Sequence, residues 1–287
     1  MHYITAIMSA FSSSVTSIFG KLSLNVGASA LQILFLRFFF SLIISGLLFV
    51  LLKKKINIKY LLFFGVFGIV NYGIAAYLFF YGLKFLNPAY ATVLFFSNPI
   101  FVLIFQKLIY KGNFSVFNLF AVVLSFTGII LSNLAEKSIG GSENLVFGSL
   151  LVILAAIFNA LFITLVGDKI KKLQLSPFES SFYTFLGVTI LYFIISIANK
   201  ELYTIKPDYY IYGLLLAVFS TLIPLTLNYF SLRKINSTTL SLIMPLEIVF
   251  ASILSFIFFD EMFNILKVLG FSFVVVAPIL ERVKIKK

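Results

Sequence analysis

A single carboxylate, Glu247, interrupts the apolar stretch Ser241-Leu-Ile-Met-Pro-Leu-Glu-Ile-Val-Phe-Ala-Ser252, two residues after Pro245. An ionised side chain in hydrocarbon costs several kcal/mol, and an interior proline removes a backbone hydrogen bond. Two kinds of chemistry suit such a carboxylate: holding a cationic group, or taking up and releasing a proton. Other polar residues are set in apolar runs in the same way: Asn71, Asn98, Asn159, Ser12, Ser13 and Tyr77, with Pro99 and Pro224 as further interruptions. Carboxamides and hydroxyls offer a solute hydrogen bonds, and a tyrosine ring offers it a face on which to stack.

Catalysis finds little to work with. The one histidine is His2, cysteine is absent, and no G-x-x-x-x-G-K-[ST] phosphate loop occurs. A thiolate nucleophile, a zinc-thiolate site and nucleotide-driven pumping are therefore not expected. Neither an enzymatic activity, a cofactor nor a metal is expected, and gradient-driven movement of a small-molecule substrate is favoured over an enzyme or an ATP-driven pump. The net charge of +12 does not point to nucleic acid, because the 19 Lys and 3 Arg lie mostly in short segments between apolar runs.

These residues must be positioned by membrane-spanning helices. Of 287 residues, 61% are hydrophobic and 11% charged, against about 25% charged in soluble domains. Apolar runs of about 20 residues, enough to cross a lipid bilayer as a helix, recur along the whole chain. They place ten spans near 3–24, 30–52, 59–84, 88–110, 114–134, 145–167, 177–198, 208–233, 237–259 and 263–281. The first run has no basic leader or small-residue cleavage site and reads as a retained helix. Fifteen Lys and Arg fall in one set of alternate loops, the Lys53–Lys59 loop and the C-terminal tail among them, and six, including Lys137, in the other. The positive-inside rule then predicts cytoplasmic termini. At 1.5 Å per residue, Glu247, Asn98 and Asn71 lie about 16–17 Å into their spans, and Ser12, Ser13 and Asn159 at similar depth. The prediction is a polar belt at the midplane, with Pro99, Pro245 and Pro224 loosening the helices around it. Pro224 removes the usual donor to the carbonyl of Ser220, a gap for a water-lined cavity or a substrate ammonium to fill.

Structural alternatives stand beside each residue. Glu247 can be a buried hydrogen-bonding group, with Arg37 at comparable depth as a partner. Arg37 itself reads as a structural charge or a snorkelling one. The asparagines can bridge packed helices, and the Ser9, Ser13, Ser17 stripe suits close helix contact.

The chain also repeats. At an offset of 147, Ser29-Ala-Leu-Gln32 falls on Ser176-Pro-Phe-Glu179, both read as capping boxes, and Gly20 falls on Gly167. At 149, Asn87 falls on Asn236, both N-cap candidates, Phe114 on Phe263, and Asn71 on Ser220. Two five-helix halves, 1–138 and 139–287, follow. Because five is odd, the second half enters the membrane from the opposite face, giving two inverted repeats, an architecture of secondary transporters.

Ten spans in two halves, Leu36-Arg37-Phe38 early in the second span, Asn98-Pro99 in the fourth, the proline-bearing ninth span and Phe258-Phe-Asp-Glu261 together resemble the EamA-type transporters of the drug/metabolite transporter superfamily. Two features depart from that pattern: Tyr110-Lys111-Gly112 where the family often carries Gly-Glu, and Pro245 before rather than after the acidic residue. The resemblance implies export of small metabolites. The expectation is thus an all-α, multi-pass inner-membrane protein that exports an amino-acid-like or drug-like metabolite by alternating access, with proton coupling at Glu247 as one option. An exchanger of nucleotide-sugars or organic phosphates, and a non-transporting scaffold or sensor, are the rival expectations.

Overall fold

A computed structural model describes residues 1–82, 85–86, 88–111, 115–134, 144–173, 175–259 and 264–285. The expectations placed on Lys84, Asn87, Gly112, Phe114, Lys137, Asp260, Glu261, Phe263, Lys286 and Lys287 lie outside the described residues. Among the described residues every regular element is helical. The α-helices are α1 (His2–Ser14), α2 (Thr16–Asn25), α3 (Ala30–Leu51), α4 (Ile58–Gly68), α5 (Ala76–Gly82), α6 (Pro88–Phe95), α7 (Asn98–Tyr110) and α8 (Val116–Leu134). They continue with α9 (Leu145–Leu173), α10 (Pro177–Ala198), α11 (Pro207–Ala217), α12 (Ile223–Leu232), α13 (Ser237–Ile243), α14 (Leu246–Phe259) and α15 (Ile265–Ile285). π-Helical turns over Ile69–Ala75 and Val218–Leu222 join α4 to α5 and α11 to α12. Eight helical stretches among the described residues are long and apolar enough to cross a membrane.

Spacing along the chain is regular. α3 and α10 are each 22 residues long and start 147 positions apart. α4 and α11 are each 11 residues long and start 149 apart. The same separation of 149 relates the starts of the two π-helical turns, of α6 and α13, and of α8 and α15.

The chain forms two compact units, each drawing on early and late sequence. Unit 1 comprises Met1–Ile69 and Ile170–Lys234; unit 2 comprises Val70–Lys169 and Ile235–Lys287. In unit 1, α10 packs on α3 and α4, α11 on α3, and α1 on α12. α3 and α10 run antiparallel and are tied at both ends. At one end Ser29 Oγ donates to Glu201 Oε2 at 2.9 Å, and Gln32 Nε2 donates to Thr204 Oγ1 at 2.8 Å. At the other, Tyr183 OH accepts the Asn57 N–H at 3.0 Å, and Lys54 Nζ lies 3.8 Å from Glu179 Oε2. The α4–α10 crossing needs glycine, since a Cβ on Gly187 would meet the backbone of Gly65 at 2.6 Å.

In unit 2, α8 and α15 form the most extensive helix pair, crossing where a Cβ on Gly270 would meet the Gly128 carbonyl oxygen at 2.5 Å. Leu103 of α7, Ala121 and Val122 of α8 and Leu242 of α13 form a buried cluster in the same unit.

Two capping expectations need correcting. Ser29 and Gln32 form the reciprocal capping box, but Ser176 makes no side-chain cap. Glu179, the partner it would need, accepts instead from Tyr183 OH at 3.4 Å and faces Lys54. Asn236 occupies the N-cap of α13 with extended backbone, and its side chain makes no cap bond. The sixth span also runs past 167 to Leu173, because terminal Lys171 and Lys172 suit a helix C-terminus.

Candidate functional site

Asparagine is an uneasy helix residue, since its side chain competes for backbone groups. Three of the predicted ones find each other in unit 2. Asn98 Nδ2 donates to Asn159 Oδ1 at 2.6 Å, and Asn159 Nδ2 donates to Asn71 Oδ1 at 2.9 Å. Each comes from a different element: Asn71 from the π-helical turn, Asn98 from the first position of α7, Asn159 from the middle of α9. Asn71 and Asn98 are buried, Asn159 half-buried. The outer oxygen of the chain, Asn98 Oδ1, is enclosed and has no hydrogen-bond partner.

Asn98 stands at a break. α6 ends at Phe95 and α7 begins at Asn98, with the Ile100 N–H turning back to the Ser97 carbonyl at 3.0 Å. α13 and α14 are parted in the same way around Met244 and Pro245, where the N–H groups of Glu247 and Ile248 donate to the carbonyls of Met244 and Pro245, both at 3.0 Å. Glu247 is half-buried in the first turn of α14, where the helix dipole favours negative charge. It lies 149 positions after Asn98, so each break is followed by a carboxamide or a carboxylate. Tyr77 is half exposed and stacks on Tyr81, ring centroids 5.9 Å apart.

Unit 1 gathers Ser12, Ser13, Arg37 and Pro224, and the loosened backbone of the eighth span is met at carbonyl after carbonyl. Arg37 Nη2 donates to the Ser220 carbonyl at 2.8 Å, and Arg37 Nε donates to Thr221 Oγ1. Ser41 Oγ reaches the Ala217 carbonyl at 3.2 Å, Ser12 Oγ the Phe219 carbonyl, and Ser9 Oγ the Pro224 carbonyl at 3.0 Å. The carbonyl that Pro224 frees is therefore taken by a guanidinium. A cavity or a substrate ammonium is not its partner. Ser9, on the predicted stripe, makes a specific bond as well as permitting contact. Ser13 is buried, and its own carbonyl accepts from Thr16.

Sequence reasoning missed the partners of Arg37, although Pro224 advertised an open acceptor one turn earlier. It also missed Glu281, a buried residue both of whose carboxylate oxygens lie 2.9 Å from Thr239 Oγ1. Nothing in the local sequence pairs Glu281 with Thr239, 42 residues earlier. Among the described residues no cluster of His, Cys, Asp and Glu could hold a metal.

The model of the EamA-like transporter family matches residues 1–134 and 146–280. The chain belongs to the EamA-like transporter family. It is thus a multi-pass integral membrane protein of a transporter family within the drug/metabolite transporter superfamily. Twenty-nine solved chains match this EamA-family protein. One, described only as a crystal structure of a protein, superposes with a TM-score of 0.82 at 12% identity, covering 99% of this chain and 96% of that one. That likeness concerns the fold alone. No curated protein matches the chain.

Proposed function

We propose that this EamA-family protein is a secondary active transporter that exports a small organic metabolite by alternating access. The carrying observation is the pairing of interruptions. The π-helical turns beginning at Ile69 and Val218 are 149 positions apart, as are Asn98 and Glu247 just after the two helix breaks. Equal spacing supports ten spanning helices arranged as two inverted five-helix repeats, 1–138 and 139–287, and the two family matches have similar lengths. Interrupted helices at corresponding positions in two halves are where such transporters hold their solutes. On this reading Pro99, Pro245 and Pro224 mark gating segments, and the residues that bind substrate or proton are Asn71, Asn98, Asn159, Glu247 and Tyr77 of unit 2 and Ser12 and Ser13 of unit 1. The basic-residue count supports cytoplasmic termini in an inner membrane. Arg37, engaged with Ser220 and Thr221, is a structural charge, which favours this reading over an organic-phosphate exchanger.

Glu247 couples the cycle, either by binding a cationic group or by carrying a proton. The test begins with a thermal-shift screen of a metabolite library on purified protein, since a ligand that binds the folded state raises its stability. A hit is then assayed in proteoliposomes with and without a pH gradient. Proton coupling predicts that Glu247→Gln abolishes gradient-driven accumulation but keeps exchange at equal pH; cation binding predicts that both fall with affinity. Wild-type rates in both assays remove Glu247 from the mechanism, and a protein with no hit and no flux is a scaffold or sensor.

A further inference from the structure

A buried acceptor without a donor is an exception in folded proteins and calls for an explanation. Asn98 is 2% exposed, and its Oδ1 is unpaired while its Nδ2 is committed to Asn159. The buried hydroxyls of Ser125, Thr164 and Ser196 and the carboxamide oxygen of Asn228 are unpaired too, but a hydroxyl rotates freely to suit a new partner, and Asn228 is a half-buried residue inside α12, not at a helix break. The carboxamide of Asn98 is held by a chain running through Asn159 to Asn71. Reversing all three amides would keep both bonds and place an NH2 with two unused protons where one oxygen now sits, and orphaned buried N–H groups are rarer than under-satisfied carbonyl oxygens.

We propose that Asn98 Oδ1 is a specificity-determining acceptor that takes an N–H or O–H donor from the transported solute. The inference rests on the transport reading of the same residues. It narrows the solute to a donor-bearing polar metabolite, an amide, alcohol or amine, and sets against it an organic anion that brings only acceptors. Closing the protein around an unmet carbonyl oxygen is disfavoured by roughly ten- to a hundredfold. A solute that supplies the missing hydrogen removes that penalty, so the empty carrier closes less readily than the loaded one. The chain reports the event to three elements together, because Asn98, Asn159 and Asn71 lie on α7, α9 and the π-helical turn.

The full chain in lipid nanodiscs is titrated with three matched probes: 3-phenylpropanamide, 3-phenylpropan-1-amine and 3-phenylpropanoate. The amide and the amine are expected to raise the melting temperature, and the acid to leave it unchanged. Asn98→Leu is expected to weaken the amide by tenfold or more, about 1.4 kcal/mol. Asn98→Asp keeps an acceptor and adds charge, so it shifts preference from the amide to the amine. A purely structural asparagine would lower the stability of both variants without changing the order of the probes. No stabilisation of the wild type by either donor probe, equal stabilisation by the acid, or an unchanged preference in Asn98→Leu, as when a water serves the oxygen, each overturns the proposal. Counterflow in proteoliposomes separates the two readings. Binding of the amide without flux defeats transport and leaves the acceptor standing; flux of the acid defeats the acceptor and leaves transport standing.

Discussion

At the α4–α10 crossing, the same substitution on facing glycines should give opposite results. An added Cβ on Gly187 would lie 2.6 Å from both Cα and O of Gly65 and 2.8 Å from its carbonyl carbon. Non-bonded heavy atoms settle about 3.5–4.0 Å apart, so α4 would have to retreat by about 1 Å. All three atoms are backbone, and no side chain can swing aside. Overpacking of this kind costs about 3 kcal/mol, the upper end of its usual range. Replacing glycine by alanine in a helix returns about 1 kcal/mol, leaving a net loss of about 2 kcal/mol. A Cβ on Gly65 points elsewhere, meeting Gly187 Cα and the Tyr183 carbonyl oxygen at 3.7 Å, ordinary contact. Gly65→Ala should therefore keep most of the gain, up to about 1 kcal/mol. At roughly 2–4 °C per kcal/mol, thermal unfolding in detergent should show Gly187→Ala melting about 4–8 °C lower and Gly65→Ala up to about 4 °C higher. Equal shifts of the same sign, or a larger loss from Gly65→Ala, would refute the packing argument.

Two further outcomes concern charge and backbone. Arg37→Gln should destabilise the protein by about 2–4 kcal/mol through the loss of charge-assisted bonds to Ser220 and Thr221, measured by denaturant titration. Arg37→Lys should not restore it, because one ammonium cannot reproduce the guanidinium fork; a fully stable lysine variant would refute this. Lys53 and Lys200 hold left-handed backbone, with φ of 49° and 59°, a conformation that costs a non-glycine residue about 1–2 kcal/mol. Glycine at either position should raise the melting temperature by a few degrees, and a drop at both would show that the lysine side chains matter more than the backbone.

Much of the fold was readable because its boundaries are chemical. The seventh span begins at Pro177 and ends before Asn199, as Ser-Pro and a polar stop predict. The ninth span keeps its expected limits, 237 and 259. The π-helical turn around Asn71 was not readable, because no proline or charge marks it and the extra residue per turn depends on the helices packed against it. Ser176 failed as a cap for a similar reason: Tyr183 and Lys54 compete for Glu179, and neither contact is visible in a four-residue motif. Depth in the span pointed to Asn71, Asn98 and Asn159, and the structure joins these three by hydrogen bonds, since apolar surroundings leave such groups only each other. It gave no indication of which oxygen would be left over. Arg37 shows the limit most clearly: the acceptor at Ser220 follows from Pro224 nearby, but its donor stands 183 residues earlier in the chain.

The α3–α10 pair, clasped at each end, has a mechanical consequence. Sliding one helix along the other by a single residue, about 1.5 Å, would pull Gln32 from Thr204 at one end and Asn57 from Tyr183 at the other. Neither tie can give without the other, so the register is fixed and the pair acts as a strut. A strut passes a push from end to end without absorbing it. Bending must then fall to elements with a joint in them, and in unit 1 one such joint is the π-helical turn at Val218–Leu222, where Arg37 on the strut grips the backbone beside Pro224. The guanidinium is the pin through which a rigid lever and a jointed helix are coupled.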